Sequence, residues 1–142
     1  IAEIIPIFSA TETSQLNFGR FAPGPEGGSI ILTPQGTISI QGNVFKGPGT
    51  FNAASFNVFG DADAAYSISL PSGPVILRHT SASKTMTVED WLSVPSAGIG
   101  TGRLQQDGFQ TVFVGATLKV GSINDNPVGI YTGLYNITFD FY

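Results

Sequence analysis

The chain has 142 residues, no cysteine and one histidine, which excludes a disulfide framework, a thiolate metal cage and a multi-histidine metal site. Six Lys and Arg against ten Asp and Glu give a net charge of −4. A nucleic-acid binder needs a basic surface to displace phosphate counterions, so we expect no nucleic-acid partner.

Composition predicts an all-β chain. There are 14 Ile and 9 Val against 8 Leu, together with 11 Phe, and β-branched and aromatic side chains suit a pleated, half-buried surface. The 18 Gly and 9 Pro are spread along the chain, as turn residues between short strands are. We therefore expect residues 1–142 to form a single antiparallel β-sandwich domain of about eight to ten strands.

Period-2 hydrophobic patterns bounded by turn residues predict the strands. In chain order they are Ala2–Phe8, Leu16–Phe21, Ser29–Leu32, Thr37–Gly42, Ala53–Gly60, Tyr66–Leu70, Val75–Arg78, Met86–Leu92, Phe109–Val120 and Gly129–Tyr142. Glycine and proline predict turns at 23–25 and 27–28. For Met86–Leu92 a short helix is an alternative, because Thr87 with Glu89 gives a weak capping signature, and we favour the strand. The glycines of 98–102 predict a flexible connection, since no helix follows to form a phosphate site.

The leading segment, residues 1–10, is predicted to be a strand that must be buried against something. Ala2, Ile4, Pro6 and Phe8 fall on one face, and the other face is also largely apolar. Ile5 and Ile7 lie on this other face. Because proline has no N–H to donate, Pro6 favours an edge or a position between subunits. The sequence leaves open whether the segment pairs within its own sandwich or with a neighbour.

The clearest alternation runs from Val112 to Val120, which predicts a strand with one face in the core. The last predicted strand repeats the pattern, and its larger side chains form one face: Tyr131, Tyr135, Ile137, Phe139 and Phe141. Because a short loop joins the two segments, we expect a long antiparallel C-terminal hairpin. The aromatic face is then either core or an assembly surface.

Candidate catalytic and metal-binding residues are few. His79 is the one possible imidazole base, and no nucleophile elbow accompanies it, so we interpret it as a surface histidine at a strand end. Glu89 and Asp90 are adjacent and would point to opposite faces of a strand, which does not make an acid and base pair. The acidic and amide clusters at 61–63 and 124–126 are typical of turns rather than of a calcium site. We predict no enzyme activity, no metal and no cofactor.

Trp91 is the one tryptophan and a possible platform for a sugar ligand, because aromatic faces stack on ligands, with core packing as the ordinary alternative. No window approaches the roughly 18 apolar residues of a membrane span, so none is expected. The chain starts at Ile1 inside an apolar segment without an initiator Met. A product whose leader has been removed has this form, so we expect an exported protein at the cell surface or outside the cell.

Several blocks of sequence occur in an order that resembles the bacterial domain-of-unknown-function family 4402. The blocks are Leu16–Phe21 followed by Gly27-Gly28, then Ala53–Gly60, Tyr66–Pro71, Phe113–Val120 and Pro127–Gly133. The resemblance spans essentially the whole chain and implies a short exported sandwich, immunoglobulin-like and pilin-like, similar in its closing Gly-x-Tyr strand to fimbrial and spore-coat-U-like subunits. It implies no catalytic residue.

Our leading hypothesis is a structural or adhesive subunit of the bacterial surface that assembles with copies of itself by β-strand addition. The alternative is a monomeric secreted module that binds carbohydrate or protein, with Trp91 as its platform. Whether an assembly is a filament or a coat is not decided by the sequence.

Overall fold

A computed structural model describes residues 1–4 and 8–141, and this part of the chain forms β-strands and no helix. The strands are β1 (Ser9–Ser14), β2 (Phe21–Leu32), β3 (Ile38–Lys46), β4 (Ala54–Phe59), β5 (Ala65–Ser69), β6 (Val75–His79), β7 (Thr85–Val94), β8 (Gly98–Arg103), β9 (Phe109–Val120), β10 (Tyr131–Thr132) and β11 (Thr138–Phe141). The all-β prediction is confirmed, and Met86–Leu92 lies in strand β7.

The strands form two antiparallel sheets that pack as a β-sandwich. In the larger sheet the order is β1-β4-β9-β7-β6-β10, and β2 joins β9 and carries β3 on its other edge. The smaller sheet has the order β11-β5-β8. All of the ladders are antiparallel, as short connections require.

Strand β9 is the centre of the larger sheet. On one edge it pairs with β7, and on the other it pairs first with β4 and then with β2. The change of partner falls at Gly115, where a side chain would overlap the carbonyl oxygen of Leu32. The predicted alternation is confirmed, because the side chains of Val112, Val114 and Leu118 on one face of β9 are buried.

One half of the sandwich, which we call the closed half, lies between the two sheets. Its buried cluster takes residues from both: Ala54, Phe56, Val58, Val112 and Val114 from the larger sheet, Tyr66 and Ile68 from the smaller, and Leu104 from the segment after β8. Phe139 and Phe141 of β11 pack against it. Burial of each large apolar side chain contributes roughly 1.5–3 kcal/mol.

The other half, which we call the open half, has a buried cluster built from the larger sheet alone. Its members are Ile30, Val44, Met86, Val88, Ala116, Leu118 and Val120. Among the described residues, none from the smaller sheet packs on this cluster, and the segments around Leu16, Phe18 and Tyr131 partly cover it. One face of the larger sheet therefore lacks a second sheet over half of its area.

The predicted leading strand is wrong where the structure describes it. Residues 1–4 belong to no strand and are exposed, and Phe8 lies just before β1. Ile5, Pro6 and Ile7 lie outside the described residues. The first strand is Ser9–Ser14, an edge strand whose polar side chains are mostly exposed on both faces. An edge strand of this kind carries no hydrophobic alternation, so the pattern could not reveal it.

The prediction of a strand at Leu16–Phe21 followed by turns is also wrong. Residues 16–20 contribute one isolated bridge, between Asn17 and Asn52. Strand β2 begins at Phe21 and runs through the glycines and prolines, with a shift of register between Pro23 and Gly27. A bulge absorbs the irregular residues without ending the strand.

The expected C-terminal hairpin does not form. One edge of β9 pairs with β4 and then with β2, and the other pairs with β7 from Phe113 to Lys119, so no edge is free for a long hairpin with the final segment. Instead the segment divides: β10 pairs with β6 in the larger sheet, and β11 pairs with β5 in the smaller. Tyr142, the last residue of the predicted strand, lies outside the described residues.

The expected flexible connection at 98–102 is strand β8. Gly102 pairs with Tyr66, and a side chain at this glycine would overlap the Tyr66 ring. The amide of Gly100 donates to Ser67 Oγ at 3.0 Å. Close packing on an aromatic ring, rather than flexibility, accounts for glycine here.

Candidate functional site

A cavity of about 960 Å³ lies over the open half. Its floor is the inner face of the larger sheet, with Leu77, Met86, Val88 and Leu118. We call this feature the open cavity. Residues 15–23, which we call the near wall, line one side of it. Residues 127–135, which we call the far wall, line the other side.

The near wall is irregular backbone fixed by asparagine side chains. Asn17 and Asn52 exchange two main-chain hydrogen bonds of 2.9 Å. The side chain of Asn52 donates to Ser14 Oγ at 2.8 Å and to the carbonyl of Gln15. The Asn17 side chain accepts from the amide of Gly19, which has a φ of +83°. These bonds hold the preceding β1 strand and the near wall together.

The far wall is attached to β6 by His79. Nε2 of His79 lies 2.8 Å from the carbonyl oxygen of Val128. Nδ1 accepts from the amides of Ser81 and Ala82 at 3.0 and 2.9 Å. Because Nδ1 accepts from these amides, Nε2 is the ring nitrogen that donates to the carbonyl of Val128. His79 therefore holds the far wall at Val128 against the turn at Ser81 and Ala82.

Two further side chains fix the far wall. Asn126 is buried; its Oδ1 accepts from the Gly121 amide at 2.6 Å and its Nδ2 donates to the Thr85 carbonyl at 2.9 Å. The hydroxyl of Tyr131 donates to the carbonyl of Pro127 at 2.9 Å. Asn126 thus bonds within its own loop, as expected for an amide in a turn, and also ties that loop to β7 at Thr85.

The rim of the open cavity is apolar and exposed. The solvent-exposed hydrophobic side chains that line it are Ile123, Val128, Ile130 and Leu134. Val128 and Leu134 are 91% and 93% exposed. Contiguous exposed apolar side chains around a concave surface are typical of an interaction site.

Trp91 stands at the boundary between the halves, packed partly against both clusters. β7 has a bulge between Glu89 and Leu92, where Asp90 has a φ of 53°. The bulge changes which face of the sheet the following side chains of β7 point to. The indole packs on the ring of Tyr135 with centroids 5.2 Å apart. Its Nε1 is buried and has no hydrogen-bond partner in the described part of the chain.

Tyr135 joins the far wall to strand β1. Its hydroxyl donates to Oε2 of Glu12 in β1 at 3.2 Å. Burial, with a further contribution from the charge of Glu12, raises the pKa of Tyr135 to about 12. The neutral phenol is therefore the form that the fold stabilises.

A smaller pocket of about 350 Å³ lies on the other side of Trp91. Pro71 and Pro74 line it together with Glu89 and Asp90. Trp91 is thus accessible from a pocket beside two carboxylates, although much of the ring is engaged in packing.

Glu89 and Asp90 both line the smaller pocket. Glu89 also forms an ion pair with Lys119 at 3.7 Å. Asp107, which does not line this pocket, accepts from the amide of Phe109 within its own turn. No group of three or more His, Cys, Asp or Glu side chains suited to a metal ion occurs among residues 1–4 and 8–141.

The residues proposed for assembly lie in two places. Ala2 and Ile4 are exposed, and Ile4 retains 98% of its accessible surface. Phe8 instead packs edge to face on Phe141 and against the closed half. The C-terminal aromatic face is divided. Tyr131 packs on the open half, and the others, Tyr135, Ile137, Phe139 and Phe141, pack on the closed half.

A family model described as "Domain of unknown function (DUF4402)" matches residues 8–141. The chain belongs to this family. The match begins at Phe8, the residue at which this DUF4402 member joins its own core, and it includes both walls of the open cavity. No curated protein and no solved structure matches the chain. In the described residues there is also no helix with the length and hydrophobicity needed to cross a membrane.

Sequence reasoning missed the open cavity. Its walls are loops, and hydrophobic periodicity identifies strand faces rather than loop surfaces. A signal was present nonetheless, because Ile123, Val128 and Ile130 are large apolar residues in a segment rich in Gly, Asn and Pro. Apolar residues in such a loop must pack on something or remain exposed.

Proposed function

We propose that this DUF4402 member is a non-enzymatic structural or adhesive subunit of the bacterial surface that assembles with copies of itself by β-strand addition. The donor is the N-terminal segment, residues 1–8. The product is a filament or a coat outside the cell.

One observation carries the proposal: residues 1–4, which include the apolar Ile1, Ala2 and Ile4, are exposed and outside every strand, in a chain that also leaves part of a sheet face without a covering sheet. Exposure of an isoleucine side chain to water is unfavourable. Burial of Ile1 and of Ile4 would each contribute roughly 1.5–3 kcal/mol to the free energy of association. A segment of this kind is stabilised when it adds to another chain.

Charge and edges support the same interpretation. Charged residues make up 11% of the chain, and low charge favours association over repulsion. Strand β3 pairs with β2 on one edge, and no described strand pairs with its other edge. Such an edge presents main-chain donors and acceptors to a neighbouring chain.

The chemistry of the side chains supports a non-enzymatic role. Both ring nitrogens of His79 are engaged with main-chain groups. Glu89 is engaged with Lys119. A hydrolase would need a base and a nucleophile or a second carboxylate around one reacting centre.

The proposal is tested by the mass distribution of the full chain in sedimentation velocity and by its appearance in negative-stain electron microscopy. We expect ordered polymers, and we expect Ile4→Asp to weaken association about tenfold to a hundredfold, because one buried isoleucine is lost. The matched control is Ile99→Asp on β8, since Ile99 is also an exposed isoleucine, at 87%. A monomer at all concentrations would overturn the proposal.

A second candidate is a monomeric secreted module that binds carbohydrate or protein. It is favoured by the buried, unpartnered Nε1 of Trp91 beside a pocket with two carboxylates, a combination that suits a polar ligand with an apolar face. Because Trp91 is the one tryptophan, its fluorescence reports on this site directly. Quenching by glycans with a chain that stays monomeric would select this candidate.

A further inference from the structure

We propose that the open cavity is the acceptor site of the assembly, and that it receives the N-terminal segment of a second copy. This inference rests on the proposed function and deepens it by naming the site and the contacts.

The segment does not lie in the cavity of its own subunit where the structure describes it. Phe8 is held on Phe141, and Ser9 pairs with Phe59. Residues 1–4 are exposed, and neither they nor Phe8 line the cavity. The described residues of the segment therefore leave the cavity open to a second copy.

Donor and acceptor are therefore two different surfaces of one subunit. When one surface fits a different surface of the next copy, the contact is head-to-tail and propagates from subunit to subunit. The arrangement leads to an open polymer, whereas a contact between two identical surfaces would lead to a closed dimer.

The cavity presents the surface that an apolar strand needs. Its floor consists of buried side chains of the open half, and its rim adds exposed Ile130 and Leu134. On one edge, β2 pairs with β3 from Phe21 onward. On its other edge it pairs with β9 only from Gly28 onward, so no described strand lies beside Phe21–Pro23 there. Residues Phe21–Pro23 line the cavity, and this edge offers the main-chain groups that strand addition uses.

Charge complements the fit. Glu12 and Arg20 are the charged residues that line the cavity, and Glu12 is engaged by Tyr135. Arg20 is exposed, and in the described part of the chain it takes part in no ion pair. The incoming segment carries one acidic side chain, Glu3. We infer that Glu3 of the second copy pairs with Arg20.

The test is a charge exchange in the full chain, measured by sedimentation velocity. Arg20→Glu is expected to weaken association about tenfold, because an attraction is lost and a repulsion replaces it. Glu3→Arg is expected to have a similar effect. The double variant, Glu3→Arg with Arg20→Glu, is expected to restore association to within about threefold of the unchanged chain. Failure of the double variant to recover, with both single variants folded by circular dichroism, would overturn the pairing.

A second pair of variants tests the rim. Leu134→Asp changes an exposed residue of the rim, and Ile99→Asp makes a comparable change at an exposed position away from the cavity. We expect the first to weaken association about tenfold or more and the second to leave it within about twofold. Equal effects would overturn the acceptor assignment.

The two proposals fail in different ways. If the unchanged chain stays monomeric, the proposed function fails. If it assembles and depends on Ile4 but is indifferent to Arg20 and Leu134, the function stands and the acceptor site is wrong. If Ile4→Asp changes the monomer's stability but never its mass, the segment acts within its own subunit, and both proposals fail.

Discussion

The closed and open halves share one sheet but differ in what covers it. In the closed half, β5 and β11 place Tyr66, Ile68 and Phe139 against the inner face of β4 and β9. In the open half, two irregular segments stand over β7 and β9 and leave a cavity. A residue on this sheet can therefore be buried from solvent and still border unfilled space. We therefore expect truncation of a buried side chain to cost more stability in the closed half than beside the cavity of the open half.

The largest expected effect compares two leucines with the same burial. Leu104 in the closed half and Leu118 in the open half are both 1% exposed. Truncation to alanine should lower the free energy of unfolding by about 4 kcal/mol at Leu104 and by about 2 kcal/mol at Leu118. Leu118 borders the open cavity, so its removal forfeits fewer contacts. Denaturant titration measures both, and equal losses would remove the distinction between the halves.

The next effect concerns the far wall. His79→Ala should lower the free energy of unfolding by about 1–2 kcal/mol, because its ring joins Val128 to the turn at Ser81 and Ala82. Hydrogen exchange of the Ser81 and Ala82 amides should accelerate more than exchange in β9. The control is Lys84→Ala at a neighbouring exposed residue, expected within about 0.5 kcal/mol of the unchanged chain. Unchanged exchange at both amides would contradict the role given to His79.

The smallest effect compares two tyrosines in alkaline solution. Burial raises the pKa of Tyr66, in the closed half, to about 12, and it raises the pKa of Tyr135 to the same value. Since the unfolded phenol ionises near 10, the contribution of each to stability is complete below pH 10 and is lost as the pH rises towards 12. Absorbance at 295 nm should therefore show late ionisation that coincides with unfolding.

Phenylalanine variants sharpen this comparison. Tyr135→Phe removes an ionisable group and its bond to Glu12, and Tyr66→Phe removes one that donates to Gln110. Each should move the midpoint of alkaline unfolding upwards. A midpoint that neither variant moves would show that other groups govern the transition.

Much of the larger sheet could be predicted from the sequence, because β4, β7 and β9 alternate clearly and lie between turn residues. Strand β1 could not be, since the segment SATETS is polar on both faces of an edge. Strand β8 could not be either, because only the tertiary structure shows that Gly102 packs against the Tyr66 ring. Glycine in a sequence does not distinguish a flexible loop from a close approach.

Some features of the candidate site could likewise be predicted from the sequence, and others could not. The apolar character of residues 1–8 is visible in the sequence, and so is the isolation of Trp91 and His79. The open cavity is not visible, because it is formed by loops that meet over β7 and β9 after the chain has crossed between sheets.

The sequence by itself determined that this protein is all-β, which residues of β9 face the core, and that its first residues are too apolar to gain from exposure to water. The tertiary structure alone decided the strand partners: β10 joins β6, β11 joins β5, and the C-terminal hairpin is absent. The physical reason is that a period-2 pattern specifies which face of a strand is buried. Main-chain hydrogen bonds are chemically alike for every partner, so pairing depends on which edges remain free when the sheets pack.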